Sequence, residues 1–205
     1  PFGTMKFEEG IMSTRKGHII FLEDVLDKSV EAVEKIIEEK NPKLKNKKQV
    51  AEQVGLAAVI FWDLSHDRIR DIAFSWDKVL DFNGETGPYV QYTHARAASI
   101  LRKAKSLQAK PAYEKLTSVP EKELVKQISL YAEALEKAAD QYKPSILAKY
   151  LITLCQVFND FYEKCPCITE SDKSLATARL KLVDKTKLTL MHGLSLLGIQ
   201  APQEM

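Results

Sequence analysis

Tyr89, Tyr92, Arg96, Ser99 and Lys103 follow one another at spacings of three, four, three and four, so a helix would carry all five on one face. Two phenol rings one turn apart, with a guanidinium a turn further on, suit unstacked nucleic-acid bases. The rings offer π-faces, and the arginine can stack, pair with a phosphate or bond a base edge. Local charge agrees: from Pro88 to Leu116, six cations (Arg96, Arg102, Lys103, Lys105, Lys110, Lys115) face Glu114 alone, a net +5 in a chain whose total is +2. A near-neutral chain therefore carries a concentrated basic element. The same residues also describe an amphipathic helix whose tyrosines edge the core beside a solvated cationic face, with Val90, Ala97, Leu101 and Ala104 turned inward. A helical protein-interaction module using the Tyr/Arg face as a hot spot would look alike. On spacing alone these descriptions stand side by side.

Other reactive residue types form no site. Cys155, Cys165 and Cys167 are odd in number, and Cys165-Pro166-Cys167 is a C-x-C with no second pair to complete a zinc site. His18, His66, His94 and His192 are scattered, so no metal is expected. Asp63, Asp67, Asp71 and Asp77 read as loop-solvating and helix-capping carboxylates. The run Lys43, Lys45, Lys47 and Lys48 reads as a solvated loop that could touch RNA.

The elements that must position the face are helices. Leu26, Val30, Val33 and Ile37 mark a first one, with Asp24 as its cap. Val50, Val54, Ala57 or Ala58, and Phe61 mark a second. Ile69, Ile72, Phe74 and Trp76 suggest a short extended segment. Asn83 to Pro88 is a loop that opens the Tyr/Arg helix, expected to run to about Leu107. Ser118 and Glu121 form a capping box before Leu124, Ile128, Ala132 and Leu135. Pro144 opens a helix with Leu147, Leu151, Leu154, Phe158 and Phe161 inward, which Cys165-Pro166 stops. Thr169 with Asp172 resembles a weaker box before Leu175, Ala178, Leu182, Thr186 and Leu190, and Gly198 suits a C-terminal cap. The expected class is all-α. Residues 85–205 form an antiparallel bundle of four helices, preceded in 1–84 by a smaller helical region.

At 45% hydrophobic and 28% charged the chain lies in the globular range, which excludes wholesale disorder. The longest apolar run, Val54 to Trp62, is nine residues, against about 20 for a membrane span. No signal peptide is readable, so a cytoplasmic location is expected. The opening Pro1-Phe2-Gly3-Thr4 lacks an initiator Met, as a piece of a longer polypeptide would.

The string from Asn83 to Arg96 resembles the signature that opens the anticodon-binding domain of arginyl-tRNA synthetases. Gly10 to Gly17 is similar to that family's form of the KMSKS loop, with Ile11 and Thr14 where lysines would stand. Gln156 to Tyr162, Ala176 to Arg179 and Gly198 to Met205 are also similar and fall in order. The resemblance implies a class I ligase that joins arginine to its tRNA using ATP with Mg, monomer favoured. It implies Met12, Ser13, Thr14, Arg15 and Lys16 at the ATP phosphates, and Tyr89, Tyr92, Arg96, Phe161 and Met205 at the anticodon. Tyr162 would add to the Phe161 surface. Residues 1–84 would hold the end of the catalytic domain, the KMSKS-like loop and a stem-contact region; 85–205 would be the anticodon-binding bundle. With no H-x-G-H string and no βαβ alternation, the chain is expected to bind tRNA without catalysing and to hold no cofactor stably.

Overall fold

In the computed structural model the described residues are 3–7, 21–104 and 109–205; the KMSKS-like segment, Met12 to Lys16 included, lies outside them. Helix α1 (Leu22–Lys40) pairs with α2 (Lys47–Ser65) as a hairpin. The stripe α1 buries is Val25, Ser29, Val33 and Ile37, with Leu26 and Val30 only partly covered. Gly55 explains the polar Ser29 in that stripe. A Cβ at Gly55 would sit 2.8 Å from Val30 Cα, so only glycine lets the two backbones approach this closely. Ser29 Oγ then donates to the Gly55 carbonyl at 2.8 Å, which satisfies the hydroxyl. Phe21 is the N-cap residue of α1, and Asp24, expected as the cap, lies inside the first turn instead. There its charge still favours the helix N-terminus. Lys47 and Lys48 are not loop residues; they begin α2.

The expected extended segment is β2 (Ile72–Phe74), which pairs in parallel with β1 (Met5–Phe7). Asp71 fixes that pairing by accepting from Thr4 N–H at 2.9 Å and Lys6 Nζ at 2.8 Å. This two-stranded ladder is the one sheet among the described residues; all else of regular structure is helical. A short α3 (Trp76–Val79) leads to the Asn83–Pro88 loop and α4 (Gly87–Lys103). Thr86 caps α4 through its hydroxyl, and Gly87 lets the helix start against α2, where a Cβ would meet the Ala57 carbonyl oxygen at 2.6 Å. The described part of α4 stops at Lys103; residues 105–108, on the expected extension to Leu107, lie outside the description.

The bundle is completed by α5 (Val119–Ser129), α6 (Tyr131–Asp140), α7 (Pro144–Lys164) and α8 (Lys173–Leu196), after a 3-10 turn at Tyr113–Lys115. The stretch read as one helix after Ser118 is thus two. The chain turns at Leu130, and the inward face shifts from Ala132, which is exposed, to Tyr131, Ala134 and Ala138. The Ser118–Glu121 box forms, with Ser118 N–H donating to Glu121 Oε2 at 2.8 Å. Before α8, Asp172 alone is the cap: its Oδ1 accepts from Ser174 and Leu175 N–H at 3.0 and 3.2 Å, and Thr169 takes no part. Gly198 adopts φ 74° past the end of α8; its N–H reaches the Ser195 carbonyl, and Ile199 N–H that of Leu194. This is the paired closure that a left-handed residue makes possible.

Leu147, Leu151, Leu154, Phe158 and Phe161 of α7 run through the centre of the main core, against Val90 and Ala97 of α4 and Leu182, Val183 and Leu190 of α8. Among the described residues no helix is long and apolar enough to cross a membrane.

Candidate nucleic-acid interface

Because α4 buries Val90, Ala97 and Ile100 while α7 buries Phe158 and Phe161, the two helices leave their remaining faces to line an open cleft of about 660 Å³. Tyr92, Arg96, Ser99 and Lys103 line it from α4, at the spacing read in the sequence. Asn159, Tyr162 and Glu163 line it from α7, and Met205 with Glu204 closes one side. Tyr92 is 41% exposed and Tyr162 is 39% exposed, so each offers a ring face to the cleft. Tyr162 is held in place by stacking on Phe158, with centroids 6.4 Å apart and planes within 14°.

Arg96 is built into this wall. Its Cζ lies 5.0 Å over the Tyr92 ring, its Nη2 reaches the Tyr92 hydroxyl at 3.4 Å, and its Nη1 donates to Asn159 Oδ1 at 2.9 Å. The guanidinium carries five donors and accepts nothing, so donors remain for a ligand. Tyr89 sits one layer beneath. It packs against the core, lies outside the cleft lining, and its hydroxyl accepts from Asn159 Nδ2 at 3.0 Å. Burial pushes the Tyr89 phenol above its usual range, so it is neutral at physiological pH.

Phe161, expected as a stacking surface, is corrected by the structure. It has 0% exposure in the main core and has no face to offer a base; its neighbour Tyr162 presents one. The cause is the helical stripe: Phe158 and Phe161 share the inward face, and Tyr162 falls one position round. The concentrated charge is also partly spent within the fold. Arg102 pairs with Glu204 at 3.2 Å, and Lys115 with Asp172. Of the cations that line the cleft, Arg96 and Lys103 are therefore the ones without an ion pair among the described residues.

Sequence reasoning missed the polar residues that hold the cleft's closing side. Gln91 and His94, both buried, face inward from α4. Gln91 Nε2 donates to the Gln200 and Gln53 carbonyls at 2.7 and 3.1 Å, and His94 Nδ1 meets the Pro202 carbonyl at 2.9 Å. Arg102 Nη1 reaches the Gln203 carbonyl at 3.0 Å, and Asn41 Nδ2 the Met205 carbonyl at 3.1 Å. Residues 200–205 are thereby strapped across α4 from α8 to α1, which carries Met205 to the cleft. The signal lay in Gln91 and His94, two polar residues three apart among Val90, Ala95, Ala97 and Ala98; inward polar groups demand partners.

The connection between α7 and α8 is locked by a buried ion pair. Arg179 Nε meets Glu121 Oε1 at 2.7 Å, while its Nη1 donates to Glu170 Oε2 at 2.8 Å and the Pro166 carbonyl at 2.9 Å. Burial works to raise the Glu121 pKa, but the Arg179 and Ser118 hydrogen bonds outweigh it and hold the carboxyl below its usual range. This network fixes the 165–172 connection, from which Ile168 reaches the cleft wall. Cys155, Cys165 and Cys167 are buried free thiols, burial pushing Cys155 and Cys167 each up to about 12, and no metal-holding cluster exists among the described residues.

The described residues thus build a helical bundle with an aromatic, arginine-bearing cleft between two helices, and known families match the sequence. Residues 90–205 match the family model of the DALR anticodon binding domain, and the chain belongs to that family. Residues 1–76 match the model of the tRNA synthetases class I (R) catalytic domain. The chain is similar to the arginine–tRNA ligase of Clostridium acetobutylicum, 46% identical over 100% of this chain and 36% of the relative. It is similar to that of Halothermothrix orenii at 44%, over 100% and 36%. Among solved structures, arginyl-tRNA synthetase of Thermus thermophilus superposes with a TM-score of 0.93 at 35% identity, covering 100% of this chain and 35% of that one. The chain thus spans about 36% of the length of the curated relatives it matches.

Proposed function

We propose that this chain is the tRNA-binding part of an arginine–tRNA ligase and that the α4–α7 cleft receives the anticodon. The observation that carries the reading is the convergence of Tyr92, Arg96, Tyr162 and Met205 on one open cleft. Two ring faces accept unstacked bases, and a guanidinium with spare donors can bond a base edge or a phosphate. Tyr89 serves the same site from beneath. Residues 85–205 act as the anticodon-binding unit. The α1–α2 hairpin, with Lys43 and Lys45 at its turn, faces the body of the tRNA. In the whole ligase, arginine and ATP with Mg are the other reactants, in the cytoplasm; Met12 to Lys16 meet the ATP phosphates. This chain by itself binds without forming the adenylate.

The test is titration of the chain with an arginine tRNA transcript and with an unrelated tRNA across a salt series. Affinity falls as salt rises, because phosphate contacts release counterions, while base contacts preserve a preference for the arginine tRNA at every salt. Tyr92→Ala weakens the preferred complex by about 1–3 kcal/mol, the worth of one base–aromatic stack. Equal affinity for both tRNAs throughout, or no loss on Tyr92→Ala, overturns the reading. ATP–pyrophosphate exchange by the chain alone would refute the expected lack of catalysis.

A further inference from the structure

We infer that Asn159 is the positioning residue of the cleft: its amide sets the Arg96 guanidinium, and Tyr89 acts on bound RNA only through it. The inference rests on the anticodon reading of the cleft. An arginine has no acceptor, so the Asn159 oxygen must face Arg96 Nη1, at 2.9 Å, and the Asn159 nitrogen is left for the Tyr89 hydroxyl, at 3.0 Å. The amide is thus fixed from both ends. A chain of contacts runs from the half-buried Tyr89 through Asn159 to Arg96 and on to the exposed Tyr92 ring, over which the guanidinium lies.

The geometry explains why the cation stands ready. An unsupported arginine on an exposed helix face samples many rotamers, and ordering it on binding costs entropy. Here Nη1 is tied to a residue of the facing helix α7, and the guanidinium rests over the Tyr92 ring on its own helix. Asn159 itself is held by the helix that buries Phe158 and Phe161, so its backbone has little freedom to drift. Tyr89, packed on the core, gives the Asn159 amide a rigid anchor. The arrangement assigns two different tasks to two tyrosines a turn apart. Tyr92 touches the ligand, and Tyr89 orients what touches it.

Binding of the 205-residue chain to an arginine tRNA, and to the same tRNA with a substituted anticodon, separates these roles. Asn159→Ala lowers the preference between the two RNAs by about tenfold, within the range for one misplaced bidentate base contact. It leaves the salt slope unchanged, since no charge is removed, whereas Arg96→Ala lowers the slope as well. In an Arg96→Ala background, Asn159→Ala has no further effect. Tyr89→Phe shifts the preference in the same direction and is silent once Asn159 is alanine. Asn159→Asp, which still accepts from Arg96, keeps the preference while weakening both complexes through its charge. Thermal midpoints of all variants confirm folding, and Tyr89→Phe carries the test should Asn159→Ala unfold. Additive losses for Asn159→Ala and Arg96→Ala overturn the assignment while leaving the cleft reading intact. An Arg96→Ala chain that binds as the parent does overturns both.

Discussion

Glu121→Ala should cost this chain far more than its position near a helix start suggests. The Glu121 side chain is 1% exposed and holds two hydrogen bonds, one from Arg179 Nε at 2.7 Å and one from Ser118 N–H at 2.8 Å. Breaking a buried ion pair by removing one partner costs roughly 3–5 kcal/mol. Arg179 is not stranded, because Glu170 and the Pro166 carbonyl still accept from it, which places the loss at the low end. The helix-cap arm adds about 1 kcal/mol. The sum is about 4 kcal/mol. For a chain of this size roughly 2–4 °C accompanies each kcal/mol, so the thermal midpoint should drop by about 8–16 °C. Arg179→Met should cost more than Glu121→Ala, since it leaves a buried carboxylate with no cation and only the Ser118 hydrogen bonds. The double variant Glu121→Leu with Arg179→Met should recover much of the loss, because an apolar pair of similar volume has no charge to desolvate. Urea unfolding followed by circular dichroism provides the free energies. A Glu121→Ala loss below about 1 kcal/mol, or a double variant no more stable than Arg179→Met alone, would refute the reasoning.

The chain should lose stability as pH falls below neutral through His94. Burial holds its folded pKa under the ordinary 6.5, so between the two values the unfolded chain binds more protons. That stability is fully present above about pH 6.5 and is lost as pH drops toward the folded value; thermal midpoints at stepped pH should show it, and His94→Gln should flatten that step. Gly55→Ala should force α1 from α2 and cost about 1–3 kcal/mol, read by urea unfolding, since its Cβ would meet the Val30 backbone at 2.8 Å. Glu204→Gln should tighten RNA binding and steepen its salt slope by about one unit, because it frees Arg102 at the cleft rim. Unchanged or weaker binding in that variant would mean that Arg102 does not face RNA.

What was legible in the sequence was whatever periodicity writes directly. The inward stripes of α2, α7 and α8 matched their spacing, as did the shared face of Tyr92, Arg96 and Lys103. The capping residues Ser118 and Gly198 act through local geometry and were readable for that reason. Illegible features depend on partners far along the chain. Nothing local says that Gln91 reaches Gln200, that His94 meets Pro202, or that Asn159 sits between Tyr89 and Arg96. The burial of Phe161 is likewise not legible in a motif, which assigns a role by residue type without regard to which side of the helix it occupies. Phe161 is 0% exposed, whereas Tyr162 is 39% exposed and turns to the cleft. A sequence overstates free charge for a related reason: Arg102 and Lys115 count as free cations there but meet Glu204 and Asp172 in the fold.

On the proposed function, the cleft between α4 and α7 reads the anticodon. This is tested most directly by measuring the affinity of this chain for an arginine tRNA and for the same molecule altered only in its anticodon. The affinities should differ by about tenfold or more, with the difference persisting at high salt and disappearing in the Tyr92→Ala, Arg96→Ala double variant. Equal affinities for the two RNAs, or a difference that survives the double variant, would contradict it.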